Sequence, residues 1–345
     1  MKIVFDVMGG DHAPEVTVAG AIDAAKEFGI PIVLVGQEAI VRGELAKHDW
    51  AGLNLSIVDA PEVVDMHDKP AEVLRSKPQS SMHIGMEMVR QGEADAFVTC
   101  GNTGGALAIA LFKLGRIKVD SQRRIHRPTL ATLFPTRTGF CFLMDIGANT
   151  DWKPIYLQQF AVMGSIYAET VLHVPDPRVG LVSIGEEEGK GTIEVREAYE
   201  LIKATPGLNF VGNVEGKDIP AGKADVVITD GFTGNVIIKL SEGVASLIAA
   251  TLREEITSRK LAMAGALLVK PALTAVSNKL DYAEYGGAVL LGLNHVCIVG
   301  HGRSNQRAVR SAIRVARDAV QADVVGKIRQ GLASQPANLN ATESE

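Results

Sequence analysis

An eleven-residue pattern occurs twice in this chain. Residues 94–104 read ADAFVTCGNTG and residues 224–234 read ADVVITDGFTG, with Ala, Asp, Thr, Gly, Thr and Gly at matching positions. Each copy is a short β-branched run that ends in Gly-x-Thr-Gly and continues into an apolar segment of helical period. That is the pattern of a strand, a tight turn and a helix. One such unit cannot bury its own apolar surface, so it needs neighbours in a layered sheet. The repetition predicts a duplicated α/β architecture whose two halves face one another across a cleft.

The rest of the chain fits that frame. Strands are expected at 2–7, 31–35, 54–58, 95–100, 129–134, 140–145, 179–184, 208–212, 225–229 and 295–299. Helices are expected at 14–28, 38–47, 80–91, 104–114, 153–172, 190–204, 233–257 and 304–330. The pair 129–134 and 140–145, opened by Pro128, reads as a hairpin that interrupts the βα alternation. The fold class is therefore a three-layer α/β/α domain on a mixed, mostly parallel sheet. It should span residues 1–331 as one unit of two intertwined halves, with a helical hairpin near 244–280. Residues 332–345 (LASQPANLNATESE) lack apolar periodicity and read as a disordered tail.

Glycine is the compositional outlier, with 35 in 345 residues, many of them directly after apolar runs. A glycine-rich turn between a strand and a helix lets backbone N–H groups approach an anion beside the positive end of the helix dipole. Gly101-Asn102-Thr103-Gly104 and Gly231-Phe232-Thr233-Gly234-Asn235 fit that description. Neither is a Walker A loop, which needs a following Lys, and neither is GxGxxG, so no nucleotide or NAD cofactor is expected. Other strand ends add polar groups. DVMGGDHAP at 6–14 places Asp6, Gly9, Gly10, Asp11 and His12 together. DIGAN at 145–149 carries Asp145 and Asn149, and GEEEGKG at 185–191 sets Glu186 to Glu188 beside Lys190. Ligands of open α/β sheets collect at the carboxyl ends of strands, so these turns read as one composite site. Asp6, Asp145 and Asp230 suit helix capping as well as they suit a site. Lys190 suits an oxyanion or an ion pair with its neighbouring glutamates. His12 and His301, flanked by GGDH and HGRS, are the histidines placed for proton transfer.

A net charge of −5 gives no support to nucleic-acid binding. Cys100, Cys141 and Cys297 are far apart in apolar runs and read as reduced thiols, with no cluster for a metal. The chain opens on KIVFDV, without the regions of a signal peptide, and no continuous apolar run reaches about 18 residues. A cytoplasmic protein is expected.

Taken together, the turns closely resemble those of the bacterial acyl-ACP:phosphate acyltransferase family, PlsX. The matching stretches are DVMGGDHAP, SSM with the following glycine at 80–85, ADAFVTCGNTGGAL, DIGAN, GEEEGKG, GNVEG at 212–216, ADVVITDGFTGNVIIK at 224–239, EYGGAVLLG at 284–292 and HGRS at 301–304. They run nearly the length of the chain. The resemblance implies an isocitrate/isopropylmalate dehydrogenase-like fold, a homodimer, and transfer of a fatty acyl group from acyl carrier protein to inorganic phosphate. It also implies that the acyl phosphate product feeds a membrane acyltransferase. A coenzyme A-dependent phosphate acetyltransferase is the alternative.

No GxSxG nucleophile elbow occurs, which favours direct attack by bound phosphate on the thioester. In that scheme Asp6, Gly9, Gly10, Asp11, Gly101, Asn102, Thr103, Gly104, Asp145, Asn149, Glu186, Asp230, Gly231, Thr233 and Gly234 line the substrate site. His12, Lys190, Asn235 and His301 carry the chemistry. Arg303, Arg307, Arg310, Arg314 and Arg317 recur at spacings of four and three, a face that either docks the acidic carrier protein or is paired locally. Residues 258–280 set an apolar run, Leu261 to Val269, between Arg259, Lys260, Lys270 and Lys279, with a break at Pro271. This segment suits either docking on the inner membrane surface or a dimer interface.

Overall fold

The computed structural model of the protein describes residues 1–280 and 286–335, without the side chains of Leu267 and 277–280. The start of EYGGAVLLG, the Lys279 side chain and the tail from residue 336 therefore lie outside the described residues. Eleven strands form one sheet: β1 (Ile3–Asp6), β2 (Ile32–Gly36), β3 (Leu55–Asp59), β4 (Ala96–Thr99), β5 (Thr129–Thr136), β6 (Gly139–Met144), β7 (Arg178–Val182), β8 (Asn209–Val214), β9 (Val226–Ile228), β10 (Ala288–Leu291) and β11 (Val296–Val299). Their spatial order is β3-β2-β1-β4-β11-β10-β5-β6-β9-β7-β8.

The central strands are buried on both faces, as the alternation of β1 shows. Ile3 and Phe5 enter one core with α1 (Glu15–Phe28), α2 (Glu38–Leu45), α6 (Pro154–Thr170), α7 (Ile193–Lys203), α11 (Gln306–Gln321) and α12 (Val324–Ser334). Val4 points to the opposite core with α3 (Pro70–Ser76), α4 (Ser81–Arg90) and α5 (Thr103–Lys113). A third core packs α8 (Asp218–Ala221) and the base of α9 (Gly231–Thr257) on that second face, beyond β5. The arrangement is the three-layer α/β/α fold with a mixed, mostly parallel sheet.

Strand β10 was not legible in the sequence. It is only four residues long and mostly buried, so it shows no alternation. Its position is decisive all the same. It runs antiparallel to both β11 and β5, and β5 runs antiparallel to β6. The strands β1 to β4 and β11 therefore point one way, and β6 to β9 point the other. The turns at Thr103 and Thr233 leave the sheet at opposite ends. This corrects the picture of the two turns as facing walls of one cleft.

Three boundaries also differ from the sequence reading. The segment 304–330 is two helices, because Asp323 adopts a left-handed conformation (φ 49°) and its side chain caps α12 at Gly326. Helix α12 continues to Ser334 with Leu332 buried, so the tail does not begin at 332. The hairpin starts at Gly231, and its second arm, α10 (Lys260–Leu280), carries Pro271 inside the helix rather than breaking there. By length and composition α9 could cross a membrane, with a mean hydropathy of 1.4 over its most apolar window. Lys239 and Glu242 interrupt the apolar run in the sequence without lowering that average enough to exclude it.

The joint between the halves is tied by one carboxylate. Asp145 is fully buried and accepts hydrogen bonds from the backbone N–H groups of Leu130 (3.2 Å), Gly147 (3.1 Å), Ala148 (2.9 Å) and Asn149 (2.8 Å), and from Asn149 Nδ2 (2.7 Å). Asp145→Ala leaves these donors without an acceptor. It should cost roughly 3–5 kcal/mol of unfolding free energy, read as a shift in urea midpoint at unchanged m-value.

Candidate functional site

The first cluster of turns sits at the carboxyl ends of β1, β4 and β11. Asp6 closes β1 and is buried, accepting from Thr99 Oγ1 (2.7 Å) and from the N–H of Met8 (3.1 Å). Burial raises its pKa above the ordinary carboxylate value against these bonds and those from Ser81 and Gly9. Asp6 thus ties β1 to β4 from inside. A side chain at Gly9 would run into Asp6 Oδ2 and the Gly101 N–H (both 2.7 Å from a Cβ built there), so the two turns touch backbone to backbone. Asp11 N–H donates to Gly302 O (2.8 Å), which brings the turn after β11 into the same group. The Cys100 thiol lies in this floor, pushed up to about 12 by burial, and is no nucleophile.

Asn102 does not offer a free amide. Its Oδ1 caps α5 at the Gly105 N–H (2.9 Å), and its Nδ2 faces the carbonyls of Asp65 (3.0 Å), Met66 (3.2 Å) and Asp68 (2.9 Å). The residue expected to help stabilise an oxyanion is instead the anchor of the 65–68 turn. Gly104 packs on Pro70, a contact that leaves no room for a Cβ. Thr103, Asp11 and His12 are exposed and remain at the mouth of the cluster.

The second cluster lies at the ends of β6, β9 and β7, where β9 is the neighbour of both others. Asp145 and Asn149 are scaffold here, not lining: Asn149 Nδ2 also donates to Pro128 O (2.8 Å). Asp230 caps α9, accepting from the N–H (2.9 Å) and the hydroxyl (2.6 Å) of Thr233. The Thr233 proton is therefore committed within the cap. Gly231 N–H donates to Asn149 O (2.9 Å), and a Cβ at Gly234 would overlap the Asp145 carbonyl oxygen. In the 185–191 loop the glutamates take other partners. Glu186 pairs with Lys223 (3.3 Å), and Glu188 pairs with Lys203 (2.8 Å) and Tyr199 (3.0 Å). Lys190 is exposed and forms no ion pair among the described residues.

Helix α9 connects the two clusters. Two turns beyond its start, Lys239 Nζ lies 3.3 Å from His301 Nε2 in the first cluster. The Arg303 N–H donates to His301 Nδ1 (3.1 Å), so the neutral ring carries its proton on Nε2. An ammonium and an imidazole N–H thus stand side by side, a pair of donors suited to a phosphate or carbonyl oxygen. Burial first, and then the Lys239 ammonium, hold the His301 pKa below its ordinary value, with Arg303 adding to the shift and Glu242 and Asp11 opposing it. Asn235 lies one turn before Lys239 on the same helix face, exposed beside Gly147, with no side-chain hydrogen bond among the described residues. Sequence reasoning missed Lys239. The signal was present in GNVIIK, where Asn235 and Lys239 stand four apart after the repeated turn.

The arginine face is partly consumed within the fold. Arg310 pairs with Glu27 (3.0 Å) where α11 packs on α1, and Arg317 pairs with Asp318 (2.6 Å) and covers the Phe28 ring. Arg303 and Arg307 are exposed, while Arg314 is half-buried.

Comparison with known proteins identifies the family. A family model described as fatty acid synthesis protein matches residues 1–327. A phosphate acyltransferase of Alkaliphilus oremlandii is 47% identical over 334 residues, covering 97% of this chain and 98% of the relative. One from Geobacter sulfurreducens is 45% identical over 335 residues, covering 97% and 95%. The chain belongs to the PlsX family of phosphate acyltransferases. It is an acyltransferase, and phosphate acyl transfer is its class of reaction. The PlsX fold is shared more widely. A phosphotransacetylase from Streptococcus pyogenes superposes with a TM-score of 0.65 at 20% identity, covering 94% of both chains. A 4-hydroxythreonine-4-phosphate dehydrogenase from Klebsiella pneumoniae does so at 0.51 and 14%, covering 93% of this chain and 99% of its own. At such identities the likeness is one of fold.

If Lys239 depresses the His301 pKa across the junction, Lys239→Gln should raise it toward the ordinary histidine value. A histidine-resolved NMR titration of the wild type and this variant reads that shift directly, and an unchanged pKa would show that the two groups do not meet in solution.

Proposed function

We propose that this PlsX-family chain transfers a fatty acyl group from acyl carrier protein to inorganic phosphate, by direct attack and without an acyl-enzyme. The observation that carries the reading is the convergence of Lys239 Nζ and His301 Nε2–H beside the glycine turns after β1, β4 and β11. Phosphate sits there on both donors and on the backbone N–H groups of Gly10, Asn102 and Thr103, since those of Gly9 and Gly101 are taken by Asp6 and Thr99. One phosphate oxygen adds to the thioester carbon, and the carbonyl π pair moves to oxygen. The tetrahedral intermediate then collapses, the C–S bond breaks, and the carrier thiolate leaves and takes up a proton. Asn235 and Lys190, exposed donors on the side of the second cluster, stabilise the oxyanion, and the thiolate takes the proton that the attacking phosphate gives up, relayed by the exposed His12. Oriented donors of this kind are worth about 3–4 kcal/mol of barrier each.

Lys239→Ala should therefore lower kcat/KM for palmitoyl-carrier protein by about 10²-fold, with acyl phosphate trapped as its hydroxamate. Transfer to phosphate from acyl-coenzyme A but not from the carrier thioester would favour the coenzyme A-dependent alternative. Isolation of a covalent acyl-enzyme would remove direct attack.

The partners follow from the same reading. Arg303 and Arg307 are exposed on the face proposed for an acidic carrier protein, and Arg310 and Arg317 pair with Glu27 and Asp318. The α9–α10 hairpin presents Leu261 and Leu268 at 88% and 85% exposure, near Arg259, Lys260 and Lys270. We assign it to the inner membrane surface, where a homodimeric, cytoplasmic enzyme would hand acyl phosphate to a membrane acyltransferase. Leu261→Glu combined with Leu268→Glu should abolish flotation with anionic liposomes while the dimer persists in light scattering. Retained flotation would leave the hairpin to the dimer interface.

A further inference from the structure

Between the edge strand β3 and helix α3 the chain crosses the carboxyl ends of the strands that carry the first cluster. Ala60 N–H donates to Gly36 O (2.9 Å) at the end of β2, and the Met66 side chain reaches Gly302 in the turn after β11. Strands β3 and β11 are four places apart in the sheet, about 19 Å at the usual strand spacing. The stretch from Ala60 to Met66 spans at most about 25 Å when extended. The crossing therefore has little slack, and its course depends on where it is pinned.

The pin is the Asn102 side chain. Its Oδ1 caps α5, and its Nδ2 lies within 3.2 Å of the carbonyls of Asp65, Met66 and Asp68. One amide offers two protons to these three acceptors, so the turn wraps around it. The turn is also closed on itself. Asp68 N–H donates to Asp65 O (3.1 Å), Asp65 N–H donates to the Asp68 carboxylate (2.8 Å), and Lys77 pairs with that carboxylate. Beyond the pin, Met66 Cε lies 2.6 Å from where a Cβ on Gly302 would stand, packed on the residue that follows His301. Asn102 thus works on both sides of the cluster. Its N–H belongs to the turn assigned to phosphate, and its amide fixes the segment that packs on the His301 turn.

We infer that the Asn102 side chain is a positioning group for inorganic phosphate. Through the 65–68 turn and Met66 it holds the 301–304 turn, and with it His301, at the distance from the start of α5 that the anion bridges. This rests on the phosphate site proposed above and adds what sets its width.

Three substitutions test it. Asn102→Ser keeps a hydroxyl that caps α5 but cannot reach the 65–68 carbonyls. Met66→Ala removes the packing on Gly302, and Met66→Leu restores its bulk. Asn102→Ser and Met66→Ala should each raise KM for phosphate about tenfold, the scale of one hydrogen bond to a charged group, with KM for palmitoyl-carrier protein unchanged. Met66→Leu should keep the wild-type value. A phosphate KM unchanged in Met66→Ala, or both KM values rising together, overturns the assignment, and the Met66 pair decides if Asn102→Ser does not fold. Titration with inorganic phosphate followed by phosphorus NMR reads the same site without acyl donor or turnover. Phosphate held by the wild type and about tenfold more weakly by Met66→Ala supports the positioning role even if nothing is transferred, in which case the proposed reaction alone fails. No phosphate binding by the wild type, or equal binding by Met66→Ala, overturns it.

Discussion

The structure depends on a contact between backbones. At Gly231 and Gly234 the first turn of α9 lies against the 145–149 turn so closely that neither position has room for a Cβ. That contact seats a helix of 27 residues by its first turn. The direction of everything beyond follows, including the reach of Lys239 across to His301 in the other half. A helix held by ordinary side-chain packing would have several degrees of play, and two turns out that play would separate the pair. Glycine here provides positional accuracy rather than flexibility.

Buried charge is arranged around the same need. Asp145 and Asp6 occupy equivalent places, each at the end of a strand, each buried and each surrounded by donors. Burial raises the pKa of both, so each is a costly group whose place is held by its hydrogen bonds. Neither faces a ligand. They brace the turns that do, leaving the exposed donors, Lys239, Asn235 and Lys190, unneutralised by a neighbouring carboxylate or, for Lys239, shared with a single glutamate. An anion site built this way keeps its positive charge for the substrate while the negative charge of the scaffold is screened by backbone amides.

Much of the fold was legible because strands buried on both faces and the helices between them carry strong local signals. Ten of the eleven strands answer to runs visible in the sequence, and only β10 escaped, for want of length and alternation. The site was legible at the level of turns and not of atoms. DVMGGDHAP, CGNTGG, DGFTGN and HGRS do gather at strand ends, yet the polar side chains that drew attention to several of them are spent inside their own turns. Asn102 caps and anchors, Asp230 takes both protons of Thr233, and Asn149 holds Asp145. Capping and ligand binding call for the same residue types at the same places, so composition cannot separate them.

The sequence by itself determined the repeated strand-turn-helix units, the layered α/β class and the family, since these rest on local periodicity and on motifs contiguous in the chain. Only the tertiary structure decided how the units are set against each other. The β5–β6 hairpin, set beyond the inserted β10, reverses one half, and the two threonine turns leave the sheet at opposite ends. The meeting of Lys239 with His301 joins residues 62 apart through a helix, a turn and a strand order that no local pattern encodes. Their distance is a property of packing, and packing is settled only when every layer is in place.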